Sequence, residues 1–548
     1  MAQAIKYVYN PVDSAGREIR LLVIQPGLWS EEITCRLKTV SLNDGPRYET
    51  LSYTWGDNSK EHLIQVDGSR FRVNHNLFLA LRRLRSLDEA RVIWIDAICI
   101  NQSDNNEKSA QVAMMGRIYS SCSRATTSSP PESTTAKQAF ELLRVLGEDV
   151  QFDQLACFTS TEEGILTCET FASHFKSLEA ITYIPWWSRI RIVQEMVLPP
   201  EVVFAFASET CPYEVIYNMH AVFGAHANSC CAKLWFRFTE NPTPACELII
   251  AVNLRHGPLI AVRRRRVNGE TMTLSDLRQR FCTFEATQMR DLFYGLLGMV
   301  NTSGADLPLV PDYGITEAEA ISIACYTSIK QNQNLDIIQG SRWAITSLAL
   351  PSWIPDVLNS VKSRALAPRE RRYRNHLQGQ FNASSQPCTS VGLVEGTVLK
   401  VLSSWRDFIT MVGDEVHDAE NVNWQDVQAR TLRSWMSALN IHSWPTICPQ
   451  DITVHSSFWR AIISDSVFVA NPNPPFFRRA ERQDYTKIYG YLSSLLEDRT
   501  STPDSNLLGQ EFNYPIYLSM MDSRFVRTRQ GRIGIAPARC QVGDEIHI

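Results

Sequence analysis

Three absences narrow the field before any motif does. No stretch of about 20 uninterrupted apolar residues occurs, the length a helix needs to cross a bilayer. The longest apolar runs are short, as in Val202-Val-Phe-Ala-Phe-Ala207, and no membrane span is expected. Positive charge is not in excess either: 54 Lys and Arg stand against 58 Asp and Glu, for a net charge of -4. Electrostatics therefore gives no case for nucleic acid as a partner. The N-terminal Met-Ala-Gln-Ala-Ile-Lys-Tyr-Val-Tyr-Asn lacks the basic start and apolar run of a secretion signal. A cytoplasmic protein with reduced thiols is the expectation.

The chemical motifs of several enzyme classes are missing as well. The 14 cysteines include no C-x-x-C pair, which disfavours a zinc finger or ribbon. Cys230 and Cys231 are adjacent, a pattern that suits either a redox pair or small buried residues. Eleven histidines give no metal-binding pair one helical turn apart. There is no G-x-x-x-x-G-K-[ST], no G-x-G-x-x-G after a strand, no H-E-x-x-H and no G-x-S-x-G. A nucleotide triphosphatase, a dinucleotide dehydrogenase, a zincin and an α/β-hydrolase are all disfavoured. No metal or cofactor is expected, and no repeat of 20–50 residues is evident.

What is present is an apolar centre. The run Arg91-Val-Ile-Trp-Ile-Asp-Ala-Ile-Cys-Ile-Asn-Gln102 reads as a strand buried on both faces, as in a parallel sheet. Tyr48-Glu-Thr-Leu-Ser-Tyr-Thr-Trp-Gly-Asp57 has the same character. Two such strands around a helical stretch form a β-α-β unit, whose ligands gather at the carboxyl ends of the strands. Asp57, Asn101 and Gln102 would lie there.

The flanking segments fit this plan. Arg17–Ile24 and Ile33–Leu37 are strand-like and would pair as an added edge. Asp67-Gly68, between alternating segments, predicts a hairpin with a type I′ turn. Asn74 or Asn76 caps a helix with Leu77, Ala80, Leu81 and Leu84 on one face. Asp104, with Glu107 three residues later, opens another helix. Ala125-Thr-Thr-Ser-Ser-Pro-Pro131, small and polar, reads as a loop where a third strand is due. A helix resumes over 135–146. From Pro185 onward a helix is expected, with Trp186, Ile190, Val193 and Val197 on one face and Ser188, Arg191 and Glu195 on another. The four arginines of Val262–Val267 suit either a nuclear-import or polyphosphate-binding patch or, as is more usual for four residues in an acidic chain, a solvated helix face. Further on, 318–329, 425–465 and 485–497 are helical by pattern, and a hairpin is expected around Gly531.

The residues left with possible chemistry are Ser52, Asp57, Asp96, Asn101, Gln102 and Glu195. Asp96, inside an apolar strand, is either catalytic or a buried acid anchoring the loop after it. Glu195, four residues after Arg191, is either functional or half of a helical ion pair.

Leu51-Ser-Tyr-Thr-Trp-Gly-Asp57, Trp94-Ile-Asp-Ala-Ile-Cys-Ile-Asn-Gln102, Gln111-Val-x-x-Met-x-x-Ile-Tyr119, Trp186-Trp-Ser-Arg and Gln194-Glu195 resemble, in order, the blocks of the fungal heterokaryon incompatibility (HET) domain. Arg290-Asp-x-x-Tyr-x-Leu-Leu-Gly298, Pro311-Asp-Tyr313 and Pro351-Ser-Trp-Ile-Pro-Asp356 resemble the helical region that often follows it. The resemblance implies a role in non-self recognition after fungal cell fusion, ending in growth arrest or programmed cell death. It implies an α/β fold with a flavodoxin- or TIR-like parallel sheet flanked by helices, then a mainly helical α+β C-terminal region. Some TIR domains cleave NAD with a glutamate. By that likeness Glu195 is the catalytic residue and NAD the substrate, lined by Ser52, Trp55, Asp57, Asp96, Asn101, Gln102 and Arg191. The other reading is a non-catalytic, self-associating module with an allelic or sensor partner. The expected divisions are a β extension over 1–47, the HET domain over 48–210, a helical region over 211–357, a mobile basic linker over 358–392 and an α+β region over 393–548. This chain departs from the family in having Arg191 where a tryptophan is usual, and Ala125–Ser129 where an apolar strand is usual. It ends at Ile548 where relatives usually continue, so the last region is expected to be truncated.

Overall fold

A computed structural model describes residues 7–54, 60–129, 133–161, 164–227, 229–231, 243–300, 309–338, 350–351, 353–354, 393–395, 398–416, 424–469, 476–497, 509–521 and 523–548. The chain divides into two compact units, one of residues 1–364 with 394–399, the other of 365–393 with 400–548. The stretch read as a basic linker, 358–392, lies outside the described residues.

In the first unit the strands are β1 (Glu18–Ile24), β2 (Thr34–Ser41), β3 (Glu49–Tyr53), β4 (Glu61–Val66), β5 (Ser69–Asn74), β6 (Arg91–Trp94), β7 (Ala125–Ser129), β8 (Phe158–Thr161), β9 (Gly164–Thr167), β10 (Val202–Phe206) and β11 (Glu209–Pro212). The helices are α1 (His75–Leu84), α2 (Asp96–Cys99), α3 (Asn105–Ser121), α4 (Ser133–Leu146), α5 (Ala172–Thr182), α6 (Ile192–Val197), α7 (Tyr213–Ala227), α8 (Pro244–Val267), α9 (Leu274–Arg280), α10 (Asp291–Tyr294) and α11 (Glu317–Asn332). Nine strands form one sheet in the order β11-β10-β7-β3-β6-β1-β2-β4-β5. Its centre, β10-β7-β3-β6, is parallel; β1 joins β6 antiparallel. The fold is α/β, with a mixed sheet flanked by helices.

The two apolar stretches do lie side by side and parallel, with Glu49 opposite Ile93 and Thr50 opposite Trp94. The second strand is shorter than its apolar run suggests. It stops at Trp94, and Asp96 opens the helical turn α2 instead of sitting within a strand. Apolarity reports burial, and this turn is buried as deeply as the strand before it. The N-terminal pair β1–β2 is no edge, because β1 sits against β6 and the β4–β5 hairpin extends the sheet beyond β2. Asp67 and Gly68 both take positive φ, 50° and 75°, as a type I′ turn requires.

Ala125–Ser129, read as a loop, is β7 at the centre of the sheet. Its backbone is bonded on both sides, to β3 and to β10. Small side chains suit a strand covered by packed helices, and its two threonines are β-branched. The predicted helix from Pro185 is broken. Pro185–Ser188 is a 3-10 turn, Arg189 is extended at ψ 132°, and α6 begins at Ile192. The Ile190 N–H bonds instead to the Glu285 carbonyl at 2.8 Å. Arg263, placed on a solvated face by pattern, donates to the carbonyls of Met196, Pro199 and Pro200 at the end of α6.

Asn74 caps α1 through Leu77 N–H, and Asp104 caps α3 through Asn106 and Glu107 N–H. Glu107 does not return to that cap. Its carboxylate takes both nitrogens of Arg20, at 2.6 and 2.9 Å, and so ties α3 to β1. Among the described residues, α8 is long and apolar enough to cross a membrane by length and composition; half of its apolar window is buried inside the fold.

The second unit has an antiparallel sheet of Trp405–Val412, Ser523–Thr528, Ile533–Pro537 and Glu545–His547. The hairpin around Gly531 is present, with Gly531 at φ 80°. The helical stretch 425–465 is two helices, Trp424–Ala438 and Val454–Ile462; Tyr485–Glu497 and Gly509–Met520 complete the set. Trp435, Phe458, Trp459, Leu492 and Phe525 lie in its core.

Backbone approaches backbone closely between α3 and the turn Leu297–Met299. A Cβ built on Gly116 would meet Gly298 Cα at 2.5 Å, and one built on Gly298 would meet Gly116 Cα at 2.5 Å. Gly116→Ala is therefore expected to destabilise the fold by about 1–3 kcal/mol through overpacking. Gly224→Ala, in a helix with open space around it, should be neutral or stabilising by about 0.5–1 kcal/mol. Thermal unfolding of the two variants, side by side, checks this.

Candidate functional site

Ser52 is the penultimate residue of β3, at the carboxyl end of a central parallel strand and opposite Thr127 of β7. Its hydroxyl accepts from the Trp186 indole N–H at 2.7 Å and donates to a carboxylate oxygen of Glu195. One hydroxyl thus serves two buried partners from a single segment, and the break at Arg189 turns that segment so that both can reach it. Glu195 is only 3% exposed. Burial pushes its pKa above the usual carboxylate range. Arg189, the Ser52 hydrogen bond and Arg191 pull the other way, and Asp96 adds to the rise. Arg189 is held nearby by donating to the Tyr53 carbonyl.

Arg191 does not form the helical ion pair with Glu195. Its guanidinium donates to Asp291 at 3.0 Å and to the Tyr313 hydroxyl at 3.2 Å, with Asp96 at 3.8 Å. Burial opposes its charge, yet Asp291, Tyr313 and Asp96 together hold its pKa above the ordinary guanidinium value. Tyr313 donates in turn to the other oxygen of Asp291. Ser52, Glu195, Arg191 and Asp96 are therefore brought into one neighbourhood.

Asn101 and Gln102 serve the loop before α3. Gln102 donates to the Asp96 carbonyl at 2.9 Å, and the Asn101 N–H donates to Glu107 at 2.7 Å. A cavity of about 300 Å³ opens beside Asn101, Asp104 and Glu107. Trp55 and Asp57 lie outside the described residues.

Four residues of this neighbourhood escape a reading by strand ends: Trp186, Arg189, Asp291 and Tyr313. Their signal is in the sequence all the same, because they fall within the Trp186-Trp-Ser-Arg, Arg290-Asp and Pro311-Asp-Tyr313 blocks. The neighbourhood contains three carboxyl groups (Asp96, Glu195 and Asp291), two guanidiniums (Arg189 and Arg191) and two hydroxyls (Ser52 and Tyr313). It can hold an anionic or hydroxyl-bearing group, or stabilise a cation formed beside Glu195.

Two variants test this wiring through stability. Ser52→Ala leaves the Trp186 N–H and the Glu195 carboxylate without their shared partner, and should cost about 1–3 kcal/mol. A buried acid with a raised pKa keeps its proton in the folded chain after the unfolded chain has lost it. Stability then falls as pH rises from the ordinary value of 4.5 through the raised one. Glu195→Gln should flatten that slope, measured by unfolding across the pH range.

Residues 48–195 match the family described as Heterokaryon incompatibility protein (HET). Heterokaryon incompatibility protein 6, OR allele, from Neurospora crassa is 27% identical over 396 residues, covering 62% of this chain and 57% of the relative. The chain thus spans little more than half the length of the curated relative it matches. No solved structure matches it. Ser52, Trp186, Arg191 and Glu195 all fall inside the matched segment, so residues 48–195 that carry them are a heterokaryon incompatibility (HET) domain by this match.

Proposed function

We propose that this protein acts in heterokaryon incompatibility, as an effector that arrests or kills fungal cells after fusion with a non-self partner. The observation that carries the reading is the Ser52–Glu195–Trp186 set, inside the matched segment and at the carboxyl end of a central parallel strand. The effector chemistry in this reading is TIR-like cleavage of NAD in the cytoplasm. The bond between nicotinamide N1 and ribose C1′ breaks, and its electron pair leaves with nicotinamide. Water then adds to the ribosyl cation and gives up a proton. Ionised Glu195 stabilises the cation, Ser52 orients the carboxylate, and Trp186 fixes the Ser52 hydroxyl. No metal or cofactor takes part, and the work is electrostatic and positional.

A second reading rests on the deep burial of Glu195 and its hydrogen bond within the fold. In it the α/β domain is a non-catalytic module that self-associates and engages an allelic or sensor partner, with Glu195 holding the fold. The two part company in one experiment. In the first, the purified full chain incubated with NAD releases nicotinamide and Glu195→Gln does not, with a rate that rises with pH as Glu195 ionises. Expression in a fungal host then arrests growth only for the wild type. Growth arrest by both forms, without nicotinamide release by either, supports the module instead.

A further inference from the structure

A second cluster of chemically active side chains lies away from Glu195, where the turn after α4 meets the end of α7. His226 is in the last turn of α7, Cys230 and Cys231 follow it, and Asp149 comes from the turn after α4. His226 Nδ1 is 2.9 Å from Cys230 Sγ and 3.9 Å from Cys231 Sγ, and the two sulfurs are 3.7 Å apart. A tetrahedral zinc ion with Zn–S near 2.3 Å and Zn–N near 2.0–2.1 Å sets its ligand atoms roughly 3.5–3.8 Å apart. The sulfur–sulfur distance already fits, the His226–Cys231 distance has to close by about 0.3–0.4 Å, and the His226–Cys230 distance has to open by about 0.6–0.7 Å.

The outer contacts agree with such a site. His226 Nε2 is 2.8 Å from Asp149 Oδ1. With its ring proton on Nε2 donated to that carboxylate, the Nδ1 lone pair faces the sulfurs, the orientation seen in carboxylate–histidine–zinc triads. Cys231 is buried, and its sulfur accepts the Phe152 N–H at 3.3 Å. Phe152 stacks on Phe223 of α7 at 4.4 Å and so holds the two segments together. Cys230 is exposed, which leaves an approach from solvent. Two thiolates and an imidazole form a soft donor set that disfavours calcium and magnesium. The absence of a C-x-x-C pair excludes finger and ribbon spacings but not this one, where adjacent cysteines meet a histidine from the preceding helix.

We propose that His226, Cys230 and Cys231 bind a zinc ion, with Asp149 as the carboxylate behind the imidazole and one coordination position left for water or a further ligand. Binding displaces the two thiol protons, so affinity rises with pH. The alternative use of the same groups is a reactive Cys230 thiolate paired with His226. The test uses the full chain, reduced and stripped with chelator, then titrated with zinc and separately with cobalt(II). We expect one zinc per chain by elemental analysis and a thiolate-to-cobalt charge-transfer band. Cys230→Ser, at an exposed position that leaves the fold intact by circular dichroism, should abolish the band. Asp149→Asn should weaken zinc binding by about 10–100-fold. Zinc should also protect Cys230 from iodoacetamide. Zinc retention equal in the wild type and Cys230→Ser, or alkylation of Cys230 at the same rate with and without zinc, would overturn the proposal.

Discussion

The first unit turns on a buried carboxyl that must find its partners inside the protein. Glu195, all but sealed from solvent, takes its hydrogen bond from a serine that comes some 143 residues earlier in the chain. Ser52 can serve because it lies one residue from the end of a strand fixed on both sides by parallel neighbours, so its position is set by the sheet and not by a loop. Trp186 completes the arrangement by occupying the serine oxygen with an indole N–H. Every group in this short relay depends on the next, and none can be hydrated in its place.

The geometry of the segment carrying Glu195 follows from that demand. A continuous helix from Pro185 would set Trp186 and Glu195 at fixed angles around one axis. The extended backbone at Arg189 uncouples them, and the Ile190 N–H freed by the break is taken up by the Glu285 carbonyl. The same region receives a second tie: Arg191 is drawn to Asp291 and Tyr313 instead of to Glu195. The matched segment 48–195 therefore takes hydrogen bonds and charge balance from Glu285, Asp291 and Tyr313, which lie beyond it in the sequence. The downstream sequence blocks are part of the same physical unit as the site.

Where patterns were periodic and local, the residues themselves were a sound guide. The α1 face, the Asn74 and Asp104 caps, the Asp67-Gly68 hairpin and the Gly531 hairpin each depend on interactions within a few residues, and each is found. The parallel pairing of the two apolar stretches was legible because only burial on both faces suits such composition. The misreadings share one cause. Ala125–Ser129 has no apolar signal of its own, and becomes a strand because open edges of β3 and β10 on either side satisfy its backbone. The apolar run around Asp96 carries no period that separates a strand from a buried helical turn. Arg263 belongs to a run of four arginines whose pattern suits solvent, yet the carbonyls at the end of α6 draw it inward.

The sequence by itself determined the resemblance of residues 48–195 to the HET domain, through its motif blocks, and the α/β character of the first unit, the caps and turns, and the candidacy of Ser52, Asp96, Arg191 and Glu195, through composition, spacing and that resemblance. Only the tertiary structure decided which of those side chains meet: Glu195 with Ser52 and Trp186, Arg191 with Asp291 and Tyr313, and His226 with Cys230, Cys231 and Asp149. The reason is physical. A buried charge or polar atom is satisfied by whatever group the folded chain brings within about 3 Å, and that distance is set by the packing of elements far apart in sequence.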